Sequence, residues 1–168
     1  MAQPVDQAVA VVHAARTDGG KDSAKFILNV SDTVAFKVFA LDSPYRLVIE
    51  MPEMDFEMDQ GMEQVERGIV SNFRFGNLSG GRSRVVLDLA GPVKVNKAYT
   101  LPAIDDNSAR MIVELEATSK DAFSKETLGN VIRVKANGKR QENRLVLLNE
   151  PEKQNSEEGE DNRPLVVS

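Results

Sequence analysis

One seven-residue pattern occurs four times in the chain, and it restricts the fold more than any other feature. It runs small or aromatic, basic, three apolar, polar or acidic, apolar, and it reads AKFILNV at 24–30, YRLVIEM at 45–51, SRVVLDL at 83–89 and ARMIVEL at 109–115. Runs this short, rich in β-branched residues and bounded by turn residues, read as strands. Side chains alternate across a strand, so every second residue shares a face. One face then carries Phe26, Leu28, Val30; Leu47, Ile49, Met51; Val85, Leu87, Leu89; and Met111, Val113, Leu115. That face is the expected core. The opposite face carries Lys25, Ile27, Asn29; Arg46, Val48, Glu50; Arg84, Val86, Asp88; and Arg110, Ile112, Glu114. Each strand turns a base, an aliphatic and a polar or acidic group outward.

The repeat extends beyond one strand. VVHAARTDGGKDSAKFILNV at 11–30 resembles IVSNFRFGNLSGGRSRVVLDL at 69–89: a strand, an arginine (Arg16, Arg74), a glycine-containing turn, then the signature strand. VAFKVFAL at 34–41 and VKVNKAYTL at 93–101 follow, and each half closes on its second signature strand. Residues 11–51 and 69–115 therefore read as two copies of a four-strand unit. A single unit cannot bury its apolar face, whereas two packed face to face can. The expected fold is all-β: a sandwich of two four-stranded sheets with pseudo-two-fold symmetry, spanning residues 8–124.

Between the halves, Glu53, Asp55, Glu57 and Asp59 alternate with Met54, Phe56 and Met58. This reads as an edge strand whose acidic outer face blocks edge-to-edge pairing; GMEQVERG at 61–68 could add a helical turn. After Glu116, residues 118–130 can start a short helix with Thr118 or Ser119 as N-cap and Asp121 in its first turn. The extension 125–148 contains an expected hairpin over 131–148 turning at Asn137-Gly138. Residues 1–7 and the polar, acidic segment from 149 are expected to be disordered, the latter leading into a strand-like PLVVS at 164–168.

Composition removes several kinds of chemistry. The 168 residues carry a net charge of −5, which argues against a nucleic-acid binder, since such proteins need a basic surface. There is no cysteine, so no disulfide, iron–sulfur cluster or cysteine nucleophile can form. The single histidine, His13, reads as a surface or edge residue, and one His without Cys gives no zinc site. No apolar run reaches membrane-spanning length, and no signal peptide is legible at the start, so the chain is either cytosolic or a leader has been removed. Acidic neighbours at 53–59 point the same way into water, unlike the facing carboxylates of a glycosidase.

Two features could carry binding. The outer rows of bases and acids are either cross-strand ion pairs of small individual value or a flat platform for a polar polymer. NFRFGNLSGGRSR at 72–84 is either a plain hairpin turning at Gly80-Gly81 or a corner where Arg74, Arg82 and Arg84 read an anion. It lacks the spacing and following helix of a phosphate loop.

DSPYRLVIEMPEMDF at 42–56 and GIVSNFRFGNLSGGRSRVVLDLAGPVKV at 68–95 resemble the AMIN domain, the non-catalytic module of periplasmic N-acetylmuramoyl-L-alanine amidases that also occurs in some pilus secretins. The resemblance, of an alphaproteobacterial flavour, implies a sandwich of two symmetric sheets, peptidoglycan binding and a periplasmic location with the signal peptide removed. It also implies that the acidic segment is a linker, and that Arg163-Pro164-Leu165-Val166-Val167 is the truncated start of a zinc-dependent catalytic domain. Zinc is then expected only in that missing domain, and no cofactor in this chain. The expected ligand contacts are Arg46, Arg74, Arg82 and Arg84, with Glu50 and Asp88 orienting them. The expected function is a monomeric peptidoglycan-binding and localisation module. The alternative is a protein-interaction domain docking on a secretin or a division partner; nucleic acid, membrane insertion and an enzyme in its own right are disfavoured.

Overall fold

A computed structural model describes residues 9–58, 68–105, 108–136 and the backbone of 143–144. The strands are β1 (Val11–Gly19), β2 (Ser23–Val30), β3 (Phe36–Leu41), β4 (Arg46–Pro52), β5 (Asp55–Phe56), β6 (Val70–Leu78), β7 (Arg82–Leu89), β8 (Val93–Leu101), β9 (Ala109–Ala117), β10 (Ile132–Val134) and β11 (Asn143–Arg144). They form two sheets, β11-β8-β9-β2-β1-β5 and β10-β3-β4-β7-β6. We call them the first and second sheet.

The all-β sandwich and its duplication are as the repeat implies, but the distribution of strands differs from one half per sheet. Each half gives one hairpin to each sheet: β1–β2 and β8–β9 share the first, β3–β4 and β6–β7 the second. The four signature strands become the central pairs, β2 with β9 and β4 with β7, both antiparallel. Exchanging the halves maps the order β8-β9-β2-β1 onto β3-β4-β7-β6, so the pseudo-two-fold axis swaps the sheets. At the middle of a sheet a signature strand has both backbone edges hydrogen-bonded, so the most apolar strands leave no backbone group unpaired. Each sheet is wider than the expected four strands because β10, β11 and β5 add to the edges.

The predicted core face is the observed one. Phe26, Leu28, Val30, Leu47, Ile49, Met51, Val85, Leu87, Leu89, Met111, Val113 and Leu115 all lie in a single buried cluster. Phe26 and Phe73 meet across the sandwich edge to face, with ring centroids 5.2 Å apart, an arrangement that adds to the burial of two large side chains. At one rim Phe56 stacks on Phe75 at 4.6 Å; near the end of the described chain Tyr45 meets Phe123 at 5.0 Å. The glycine turn between β6 and β7 holds Gly80 at φ +87° and Gly81 at φ +76°, the left-handed region that a β-carbon disfavours.

The acidic segment behaves as the alternation implies. β5 pairs in parallel with β1 at the edge of the first sheet, Met54 is buried, and Asp55 and Glu57 face solvent. Asp59 and the segment 61–67 lie outside the described residues. The helix after β9 is a single turn, Lys120–Ala122, capped by Ser119, whose Oγ accepts the Ala122 N–H at 3.0 Å. It passes into a π-helical turn at Phe123–Thr127. The core continues past residue 124, since Ile132 and Val134 belong to it. The expected hairpin over 131–148 is not formed by the described strands: β10 pairs with β3 and β11 with β8, on different sheets. Each takes an open edge that the eight-strand sandwich would leave unpaired. The Asn137-Gly138 turn, residues 1–7 and the tail from 149 lie outside the described residues.

Phe73 is fully buried at the contact between the sheets, while Phe75 sits half-buried at the rim. Phe73→Ala should therefore lower stability by about 3–5 kcal/mol, and Phe75→Ala by clearly less. Urea unfolding of the two variants checks this; equal losses would mean that the rim carries as much of the sandwich as its interior.

Candidate functional site

The outer face of the second sheet is ordered in rows by its register. One row runs Arg133, Lys37, Glu50, Arg84, Gly76 across β10, β3, β4, β7 and β6. The next is Phe39, Val48, Val86, Arg74, and the third is Leu41, Arg46, Asp88, Asn72. On the other side of the first row, Pro52 faces Arg82 and Arg82 faces Leu78.

Glu50 is the centre of this face. Its side chain is only 5% exposed although it points away from the core. Three cations surround it. Arg84 donates to Oε2 from Nε at 3.1 Å and from Nη2; Lys37 Nζ and Arg82 Nη1 each stand 3.5 Å from Oε1. The forked guanidinium matches a carboxylate edge in a way that an ammonium does not. The Arg84 hydrogen bonds hold the Glu50 carboxyl below its ordinary value against the opposing effect of burial, with the charges of Arg84, Lys37 and Arg82 adding to the lowering. A carboxylate out of water is tolerated only where it is paired in this way.

The candidate residues thus divide into two groups. Glu50, Arg82 and Arg84 come together at one end of the face. Arg74 and Asp88 pair at the other, with Nη2 2.7 Å from Oδ1. Four residues of strand separate Arg84 from Asp88, which is about 13 Å. Arg46 lies in register with Asp88 but turns its Nε to the Pro44 carbonyl at 3.2 Å, and forms no ion pair among the described residues. The predicted anion-reading corner of Arg74, Arg82 and Arg84 is not one corner: Arg84 is committed to Glu50 and Arg74 to Asp88.

Beside Glu50 the sheet opens into a groove of about 640 Å³, lined by the starts of β3 and β7 and the ends of β4 and β10. Lys37, Arg82, Arg133 and Lys135 stand around it, with Glu50 as its carboxylate and Phe36, Met51 and Pro52 among its apolar walls. Sequence reasoning did not select Lys37, Arg133 or Lys135. Lys37 alternates correctly in AFKVFAL and could have been found from that parity; Arg133 reaches the groove only because β10 pairs with β3.

The first sheet carries the second copy of the row. Arg144, Lys97, Glu114, Lys25 and Asp18 align across β11, β8, β9, β2 and β1. By the pseudo-two-fold relation Lys97 matches Lys37, Glu114 matches Glu50 and Lys25 matches Arg84. Here the pairing is looser: Lys25 Nζ is 3.8 Å from Glu114 Oε2, and that carboxylate, 26% exposed, also accepts from Tyr99 at 2.9 Å. His13 lies on β1 near Glu57, at 3.8 Å and half exposed. Among the described residues, no three of His, Cys, Asp and Glu converge as metal ligands.

A sequence model of the AMIN domain matches residues 12–115, which takes in both half-repeats. No curated protein matches the chain significantly.

Because its folded pKa is depressed, Glu50 contributes stability that is present above its ordinary value of 4.5 and is lost as pH falls through the lowered folded value. Glu50→Gln should cost about 1–3 kcal/mol at neutral pH, and the gap to the unsubstituted protein should close as pH falls from 4.5 towards the lowered value. Thermal unfolding over a pH series measures it; a gap independent of pH would show that the charge of Glu50 is not what its cations hold.

Proposed function

The chain belongs to the AMIN domain family, and from that premise we propose that it is the peptidoglycan-binding and localisation module of a cell-wall N-acetylmuramoyl-L-alanine amidase working in the periplasm. AMIN domains serve amidases and secretion proteins in this way and are themselves non-catalytic. The observation that supports the reading for this chain is the charged outer face. Peptidoglycan is a polymer of hydroxyls, amides and carboxylates, and the second sheet offers it a row of guanidinium and ammonium groups around one clamped carboxylate.

On this reading the hydrolytic step belongs to a separate zinc-dependent domain of the parent protein. The described residues of this chain do not make a zinc site, and its own contribution is to bind and position.

A second reading has one observation in its favour. β6 is a nine-residue strand with no neighbour on its outer side among the described strands, and an open strand edge can take up a partner's strand. A secretin or division protein would then bind there, saturably and without peptidoglycan.

Co-sedimentation with purified sacculi separates the two. We expect the protein to pellet with sacculi at low salt and less so at moderate salt, because exposed ion pairs are screened. A protein that stays in the supernatant at both salts contradicts wall binding and leaves the β6 edge as the better account.

A further inference from the structure

The groove beside Glu50 holds more positive charge than its own structure uses. Arg84, which does not line it, already makes the close contacts to Glu50. Lys37 and Arg82 stand farther off, at 3.5 Å, and are 40% and 51% exposed. An arginine has five donors and a lysine three, so most of theirs remain available. Arg133 and Lys135 are exposed and form no ion pair among the described residues. Four cations therefore stand against one carboxylate that is already satisfied. A ladder built only for stability would not need the surplus, because like charges this close repel.

The shape narrows the ligand. From β10 to β7 the cations span three strand spacings, about 14 Å, which an extended peptide covers in about four residues. The volume of about 640 Å³ lies within the usual range for a small-ligand site. The walls include the exposed Pro52, which suits a small apolar side chain, and the one aromatic residue lining the groove, Phe36, is buried at 4% exposure and offers no face for a sugar ring to stack on.

We propose that this groove binds the carboxylate-bearing stem peptide of peptidoglycan rather than its glycan, an inference that rests on the wall-binding reading above. Lys37 and Arg82 take one carboxylate beside Glu50, and Arg133 and Lys135 take another along β10. Glu50 sets the spacing of the first pair and would repel a ligand carboxylate placed directly over it, so the peptide lies along the row of cations.

The test uses three probes: stem peptide released from sacculi with its carboxylates free, the same peptide with those carboxylates amidated, and sacculi stripped of their stem peptides. The variant is Arg133→Glu with Lys135→Glu, chosen because both side chains are exposed; circular dichroism verifies its fold. Calorimetry should show the unsubstituted protein binding the free peptide, with affinity about tenfold or more lower for the amidated peptide and for the variant. Stripped sacculi should retain far less protein than intact ones. Equal affinity of the variant and the unsubstituted protein for the free peptide overturns the proposal. Equal retention on stripped and intact sacculi also overturns it, while leaving wall binding in place. Binding of the free peptide without any retention on intact sacculi supports the groove and overturns wall binding instead.

Discussion

Antiparallel pairing between signature strands of opposite halves, β2 with β9 and β4 with β7, holds the rest of the molecule in place. These strands put their large aliphatic side chains into one core and sit where both backbone edges are bonded. Neither half can form a sheet of its own in this arrangement, because each sheet's centre needs a strand from each half. The hydrophobic clustering that joins the sheets and the hydrogen bonding that joins the halves are therefore coupled, which favours cooperative formation of the whole sandwich.

The same central pairing creates the charged face. Register places Glu50 between Lys37 and Arg84, and with Arg82 their side chains gather on its carboxylate, little of which meets water. Duplication supplies an internal comparison. Glu114 occupies the matching place in the first sheet with a lysine where Glu50 has an arginine, and it is markedly more exposed. The exchange of a forked guanidinium for a point charge, together with the extra cation Arg82, accounts for the tighter hold on Glu50. One copy is thus a deeply clamped carboxylate with a cationic groove beside it, and the other is a looser surface ladder.

Much of the fold was legible because period-two alternation in strands this regular leaves little freedom: the core face of all four signature strands follows from the sequence residue by residue. The acidic edge at β5 and the Ser119 cap followed from local chemistry in the same way. Strand order did not, since a repeat says which segments are alike and not which are neighbours. The turn residues after residue 130 favour a hairpin; the two described strands there go instead to open edges of different sheets, a choice set by tertiary pairing. The site was half legible. Glu50, Arg82 and Arg84 share an outward parity and do meet, whereas Arg74 and Arg46 share that parity but lie one and two rows farther along the strands, about 7 and 13 Å away. Arg133 and Lys135 could not be found before β10 was placed beside β3.

Wall binding, as proposed, brings the polymer to the second sheet's charged face at its Glu50 end. Amide shift mapping of isotope-labelled protein titrated with soluble peptidoglycan fragments tests it most directly. The largest changes should fall on Lys37, Glu50, Arg82 and Arg133, with the first sheet changing less. Changes confined to the β6 edge or spread evenly over both sheets would contradict it.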